Sequence, residues 1–324
     1  MQYTKLGNTD IEVSKICIGG MSFGEHIEGG HQWTLDYPST KDMIAHGTDL
    51  GVNFIDTANQ YANGTSEEFI GKAIKELQIP REKLVIATKV YFNEGKLSKE
   101  AILKEIDSSL ARLGMGYVDL YQIHRFDYDH PMEEVMETLD SLVKAGKVRA
   151  IGASAMYGYQ FHNMQVIAEK NGWTMFSTMQ NHYNLLYRED ERDLIQVCKQ
   201  YGVSLIPYSP LAGGHLAHAG WTSDSLRSKT DKVLKGKYDS SMENDLEIIE
   251  RVRQLADEKQ VTMSEVALAW LYAKGVSAPI VGATKKNHFD DAVSAVDLQL
   301  TQEEVKFLEE PYKAHELTGL IRHE

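Results

Sequence analysis

The sequence predicts an α/β fold: a closed (β/α)8 TIM barrel with an N-terminal β-hairpin and extra C-terminal helices. Three observations point there. Short apolar runs alternate with longer stretches of helical periodicity along most of the 324 residues. The apolar runs lack the polar alternation of half-exposed strands, as expected of parallel strands covered by helices. Polar residues close six of them, at Asp56, Lys89, His124, Ser154, Gln180 and Tyr208, separated by 33, 35, 30, 26 and 28 positions. Each interval is about one βα unit of roughly thirty residues.

In chain order, residues 2–5 and 11–13 read as a hairpin whose turn, Leu6-Gly7-Asn8-Thr9-Asp10, is supplied by Gly and Asn and which can plug one end of the barrel. Residues 16–18 form the first barrel strand. Gly19 and Gly20 behind it either admit a ligand to the backbone or make a tight turn. A helix over 40–50, capped by Thr40 or Ser39, ends at Gly51, and the strand 52–55 runs into Asp56 with Tyr61 in the following loop. Helix and strand then repeat: 66–77 and 84–88 before Lys89, 98–113 and 118–123 before His124, 132–145 and 148–153 before Ser154, 158–170 and 176–179 before Gln180, 189–201 and 203–207 before Tyr208. A strand at 278–281 completes eight. Residues 211–241, rich in Gly, Ser and Lys, read as a lid or as a disordered excursion. Of the helices 242–258 and 263–274, one is surplus to the barrel; 301–308 is a further helix, with 311–320 as a packing arm. The whole of 1–324 is expected to be one domain.

The formal net charge of -13 opposes nucleic-acid and anionic-membrane partners. Cys17 and Cys198 lie in apolar runs, as buried free thiols of a reducing cytoplasm do, and no apolar run approaches eighteen residues. No feature specifies an oligomeric state. The twelve histidines show no metal-ligand spacing, and His31, His162, His215 and His218 are expected on the surface.

In such a barrel the strand ends converge on one mouth, so Asp56, Lys89 and His124 should be neighbours beneath Tyr61. A phenol with an ordinary pKa of about 10 is a poor acid at neutral pH unless a nearby cation stabilises the phenolate. Lys89 is that cation, Asp56 keeps it charged, and a neutral His124 can polarise a carbonyl. No protein nucleophile is evident, so a nicotinamide hydride would supply the attack on a small carbonyl substrate. No GxGxxG fingerprint offers a Rossmann site.

The stretches GVNFIDTANQY, ATKV, YQIHR, RAIGAS, TMQNHYNLLYR, IPYSPLAGG, VALAWLYAK and PIVGATKKNHFDDA, in this order over nearly the whole chain, resemble the aldo-keto reductase superfamily in its bacterial and potassium-channel-β-subunit-like branches. The resemblance implies NADPH (NADP+) as cofactor and a catalytic tetrad of Asp56, Tyr61, Lys89 and His124, with Tyr61 as proton donor. It further implies that Ser154 and Gln180 meet the nicotinamide carboxamide and that Tyr208 stacks on its ring. Ser209, Pro210, Leu211 and Gly213 would line the pyrophosphate, and Gly282, Thr284, Lys285, His288 and Asp291 the adenosine end; Gly20 and Met21 complete the set. Ala155 and Ala292 stand where relatives carry Asn. A phosphate-clamping Arg is replaced by Lys285, Lys286 or His288, which leaves NADPH against NADH open.

Arg125 could meet a substrate carboxylate or phosphate, or pair with Asp127 or Asp129. Trp33, Tyr91, Phe92, Phe126 and Trp221 fall near the mouth and suit a planar or apolar carbonyl, in part as core packing. Two other readings stand beside carbonyl reduction: a Schiff-base aldolase using Lys89, and a non-enzymatic NADPH-sensing subunit.

Overall fold

The computed structural model describes residues 1–28 and 30–317. An antiparallel pair, β1 (Tyr3–Lys5) and β2 (Glu12–Ser14), precedes eight parallel strands: β3 (Cys17–Gly19), β4 (Phe54–Asp56), β5 (Val85–Val90), β6 (Val118–Ile123), β7 (Val148–Ser154), β8 (Phe176–Gln180), β9 (Ser204–Leu205) and β10 (Ile280–Val281). Their spatial order is β10-β3-β4-β5-β6-β7-β8-β9. The Ser277 N–H donates to the Leu205 carbonyl and the Ile280 N–H to the Pro207 carbonyl, each at 3.0 Å, and these bonds close the ring. The (β/α)8 expectation holds.

Around the strands run α1 (Tyr37–Asp49), α2 (Thr65–Glu76), α3 (Lys99–Leu113), α4 (Met132–Lys144), α5 (Gly158–Asn171) and α6 (Leu194–Gln200). After β9 come α7 (Leu226–Thr230), α8 (Lys232–Tyr238), α9 (Met242–Lys259) and α10 (Met263–Ala273), and after β10 α11 (Lys286–Ser294) and α12 (Gln302–Glu309). α10 packs on α11, which packs on α1, so α10 belongs to the ring and α9 is the surplus helix, covered by α12.

The structure moves several boundaries. α1 starts earlier than expected, because Asp36 rather than Ser39 or Thr40 caps it, accepting from the Ser39 N–H at 3.0 Å, and Pro38 sits in the first turn where no intrahelical N–H is needed. β5 continues through Lys89 and Val90, which pair with Gln122 and Ile123 of β6. The expected helix 189–201 is broken at Asp193, whose backbone leaves helical geometry (φ -142°, ψ -71°). α11 has no counterpart in the sequence reading, which treated its residues only as ligand contacts. Within 211–241 the chain is folded, not disordered: Leu234 of α8 sits so close to Gly213 that a Cβ there would meet it at 2.0 Å. The C-terminal arm packs: Tyr312 Oη donates to Glu189 Oε1 (2.7 Å), and His315 Nε2 lies 2.9 Å from Asp245 Oδ1. Residues 318–320 of that arm lie outside the described residues.

The hairpin plugs the barrel at the N-terminal ends of its strands. Leu6, Ile11 and Val13 are buried with Cys17, Phe54 and Val85, and the Gly7 N–H donates to Ser204 Oγ at 2.7 Å. Gly7 is required there: its φ is +56°, and a Cβ would stand 2.2 Å from the Ser177 carbonyl oxygen. Leu6 is fully buried, so Leu6→Ala is expected to cost about 2–5 kcal/mol, read as a lowered urea midpoint at unchanged slope. An unshifted midpoint would remove the hairpin from the core.

Candidate functional site

Side chains two apart on a strand share a face. Phe54, Ala87 and Leu120 line the barrel interior. Two residues on from each, Asp56, Lys89 and Gln122 therefore also face inward, with His124 beyond Gln122. After Asp56 the chain stays against β5, the Thr57 N–H donating to the Ala87 carbonyl (2.9 Å) and the Asn59 N–H to the Lys89 carbonyl (3.2 Å). This track ends in a tight turn, Tyr61–Gly64, in which Ala62 (φ 47°) and Asn63 (φ 53°) are left-handed. Left-handed backbone at a non-glycine residue costs roughly 1–2 kcal/mol, and here it winds the loop that carries Tyr61 over Lys89.

An ammonium has three donors, and Lys89 spends all three. Its Nζ donates to Asp56 Oδ2 at 2.6 Å, to the Thr57 carbonyl at 2.7 Å and to the Tyr61 hydroxyl at 3.2 Å. Burial alone would depress the lysine, but the Asp56 carboxylate and the Tyr61 oxygen more than reverse this and hold it above its ordinary value. A Schiff-base nucleophile must be a neutral amine with a free lone pair, so the aldolase reading fails. The other oxygen of Asp56 accepts from Gln122 Nε2 (2.8 Å) and Gln180 Nε2 (3.0 Å). With both oxygens engaged, Asp56 orients Lys89 and has no proton to give.

Because Tyr61 oxygen accepts from Lys89, its own hydrogen is left to point elsewhere. Burial pushes the phenol above its ordinary value, and the opposing pull of the Lys89 charge does not reverse that. The cation thus moderates the tyrosine without making it a strong acid in the resting site, a correction to the sequence expectation. Burial, then the charges of Lys89 and Arg125, hold His124 well below its ordinary value. Its ring meets Tyr61 edge-on at 5.8 Å and Phe92 at 5.1 Å, and its buried Nδ1 has no partner. A phenol with an outward hydrogen and a neutral imidazole side by side can both hydrogen-bond one carbonyl oxygen.

The remaining candidates follow the ring. Ser154 and Gln180 end β7 and β8, Tyr208 with its loop 209–213 follows β9, Gly282 with Thr284 follows β10, and Gly20 and Met21 follow β3. These strands form one arc, and β4, β5 and β6 form the other. Gln180 links the arcs through Asp56, and Ser154 Oγ donates to the Gln180 carbonyl at 2.8 Å. Tyr208 stacks on His182 (5.1 Å, 11°), and Lys237 Nζ lies 4.4 Å from the centre of its ring. Lys285 precedes α11, which carries His288 and Asp291. Lys286 is held by Asp42 at 2.8 Å, whereas Lys285 is exposed and without an ion pair among the described residues. Ala292 faces the core and is fully buried.

Gln122 was missed by the sequence reading; a polar residue two positions before His124, and so on the same face of the strand, was its signal. His215, expected on the surface, is buried, stacked on Trp221 at 4.1 Å with its Nδ1 2.9 Å from the Trp221 carbonyl oxygen. Tyr91, Phe126 and Trp33 are buried in packing, while Phe92 is exposed beside His124. Arg125 makes no ion pair with Asp127 or Asp129. Asp127 is taken by His130 and the Leu97 N–H, and Asp129 pairs with Lys96. Cys17 and Cys198 are free and buried. Among the described residues no group of three or more His, Cys, Asp or Glu could hold a metal, and no helix is long and apolar enough to cross a membrane.

The model of the aldo/keto reductase family matches residues 15–313. Versiconal hemiacetal acetate reductase of Aspergillus parasiticus is 41% identical over 96% of this chain and 97% of its own. An aldo-keto reductase of Alternaria alternata is 39% identical over 98% and 93%. A Schizosaccharomyces pombe protein named for aryl-alcohol dehydrogenase activity is 40% identical over 98% of each chain.

The burial of His124 sets a pH expectation. Its folded pKa lies below the unfolded value of 6.5, so the unfolded chain takes up the proton first. Its contribution to stability is complete above pH 6.5 and is lost as pH falls below it. The His124 resonances, assigned with His124→Gln, should therefore not titrate between pH 6 and 8 in an NMR series. A midpoint near 6.5 would contradict the site's electrostatics.

Proposed function

The chain belongs to the aldo/keto reductase family and is an oxidoreductase acting on carbonyl and CH–OH groups, and we propose that it reduces aldehydes or ketones reversibly with NADPH, with Tyr61 as proton donor. The observation that carries this reading is the Lys89 ammonium, whose three donors end on Asp56, Thr57 and Tyr61. A substrate carbonyl oxygen accepts from the Tyr61 hydroxyl and from His124, whose unpartnered ring nitrogen calls for such a group. As the carbonyl carbon is reduced, negative charge grows on that oxygen and the Tyr61 proton moves to it. The phenolate left behind faces the Lys89 charge, held in place by Asp56, Gln122 and Gln180.

A bound nicotinamide dinucleotide supplies the hydride. The residues on the β7–β10 and β3 arc fit it: Gly282 has open space where a Cβ would stand, and left-handed Ser209, Ala212 and Gly213 wind the loop after Tyr208 into a tight turn. In this reading Gly20, Met21, Ser154, Gln180 and Tyr208 hold the nicotinamide end. Ser209, Pro210, Leu211 and Gly213 hold the pyrophosphate, and Gly282, Thr284, Lys285, His288 and Asp291 the adenosine. With Lys286 occupied by Asp42 and His288 held neutral by burial and Lys285, Lys285 is left as the cation for a 2′-phosphate.

The substrate is a small carbonyl compound, an aryl aldehyde being favoured by the exposed Phe92 beside His124 and by the name of the Schizosaccharomyces pombe relative. Residues 1–324 form one catalytic unit, without nucleic-acid or membrane partners given the net charge of -13, and the free thiols favour the cytoplasm. Kinship with the bacterial and channel-β-subunit-like branches rests on the motif series; the relatives compared are fungal and yeast proteins.

Tyr61→Phe is expected to lose at least about a hundredfold in kcat while NADPH affinity by fluorescence titration is kept; near-normal turnover would sink the assignment. Lys285→Ala should raise KM for NADPH far more than for NADH. Equal effects on both would remove Lys285 from the phosphate site.

A further inference from the structure

Arg125 follows His124 on the loop after β6, at the mouth of the proposed site, and no carboxylate among the described residues pairs with it. Its guanidinium enters no ion pair among the described residues, its buried Nη1 has no hydrogen-bond partner, and it lies 6.0 Å from the centre of the Phe92 ring. Lys237 reaches over Tyr208 out of the folded excursion, and likewise has no acidic partner among the described residues. Asp231, whose charge acts on it, is engaged by Arg227 (3.2 Å) and by the Leu234 N–H (3.0 Å). Burial, then the Arg125 charge, pull the Lys237 amine down to about 8. Arg125 adjoins His124 in the chain and lies against Phe92, and its charge is also felt at Tyr61, His124 and Tyr208.

Two cations that face one partly desolvated space without a counter-charge destabilise each other, and a single anion between them relieves both. We infer that Arg125 and Lys237 form an anion subsite for the substrate, so that the preferred carbonyl compounds carry a carboxylate or phosphate distal to the reacting carbon. This rests on the carbonyl-reduction reading for the position of the carbonyl at Tyr61 and His124. The subsite is separate from that pair. Arg125 supplies a planar fork suited to a bidentate carboxylate or phosphate, and Lys237 a point charge. The pyrophosphate of the dinucleotide is the competing anion; its proposed loop, 209–213, follows β9, three strands along the ring from β6.

The test compares 4-carboxybenzaldehyde with its neutral methyl ester, methyl 4-formylbenzoate, as substrates with NADPH. The wild type should favour the acid at least tenfold in kcat/KM. Arg125→Gln should abolish that preference through KM for the acid, Arg125→Lys should restore part of it, and Lys237→Met should lower it at least threefold. Calorimetric binding of 4-(hydroxymethyl)benzoate to the NADPH complex, a dead-end pair of two reduced partners, reads the subsite without turnover, and Arg125→Gln should weaken it at least tenfold. Absence of an acid preference, or equal losses on acid and ester in Arg125→Gln, overturns the subsite. So does weakened NADP+ binding with the preference intact, which would assign the cations to the dinucleotide. If neither aldehyde is reduced, carbonyl reduction of these substrates fails, and the calorimetric result alone upholds or overturns the subsite. Should Arg125→Gln not fold, as judged by circular dichroism, Lys237→Met decides by the same two readouts.

Discussion

Everything at the mouth of this barrel depends on one buried ammonium. Lys89 has no exposure to water, and a charge so placed is tolerated only when its donors are fully taken up. Asp56 and the Thr57 carbonyl take two of them, and the third fixes the Tyr61 oxygen as an acceptor. This single count of donors decides the direction in which the phenol can give its proton. It also removes the lysine from consideration as a nucleophile. Removing one partner of such a buried pair typically costs roughly 3–5 kcal/mol, so the site is also a structural element of the barrel.

The closed ring makes the second contribution. Asp56 receives Gln122 from two strands away and Gln180 from four strands away along the ring. In a barrel the inward side chains of many strands share one axis, and this lets residues 66 and 124 positions away in sequence meet on one carboxylate oxygen. The arrangement also divides labour: proton-handling groups stand on β4 to β6, and the arc from β7 round to β3 offers small residues and wound loops. Gln180 is where the two arcs touch, so orientation of Asp56 and any contact at the nicotinamide end draw on one amide.

The excursion after β9 connects this site to the outside. Tyr238 ties it down, its hydroxyl lying 2.7 Å from His182 Nε2 and 2.9 Å from Asn184 Nδ2, and Leu234 packs on Gly213. Lys237, one residue before that anchor, is thereby held over Tyr208 rather than in solvent. A loop that reads as a polar, lysine-rich insertion thus delivers an uncompensated charge to the mouth.

What the sequence by itself determined was periodic or local. The alternation of apolar runs and helical stretches specified the barrel, and strand-end polar residues at regular intervals specified Asp56, Lys89 and His124, because period and spacing survive without knowledge of contacts. A stop written in adjacent residues, as at Gly51, left-handed (φ 87°) behind α1, was equally legible. Tertiary structure decided everything that rests on which atoms meet. Gln122 looked like an odd polar residue until the ring brought it to Asp56. The direction of the Tyr61 shift is set by burial competing with a neighbouring charge, and Arg125 was ambiguous until its two nearby acids proved to be spent on other partners. Hydrogen-bond valence and desolvation are properties of a filled volume, and a chain read in one dimension does not contain them.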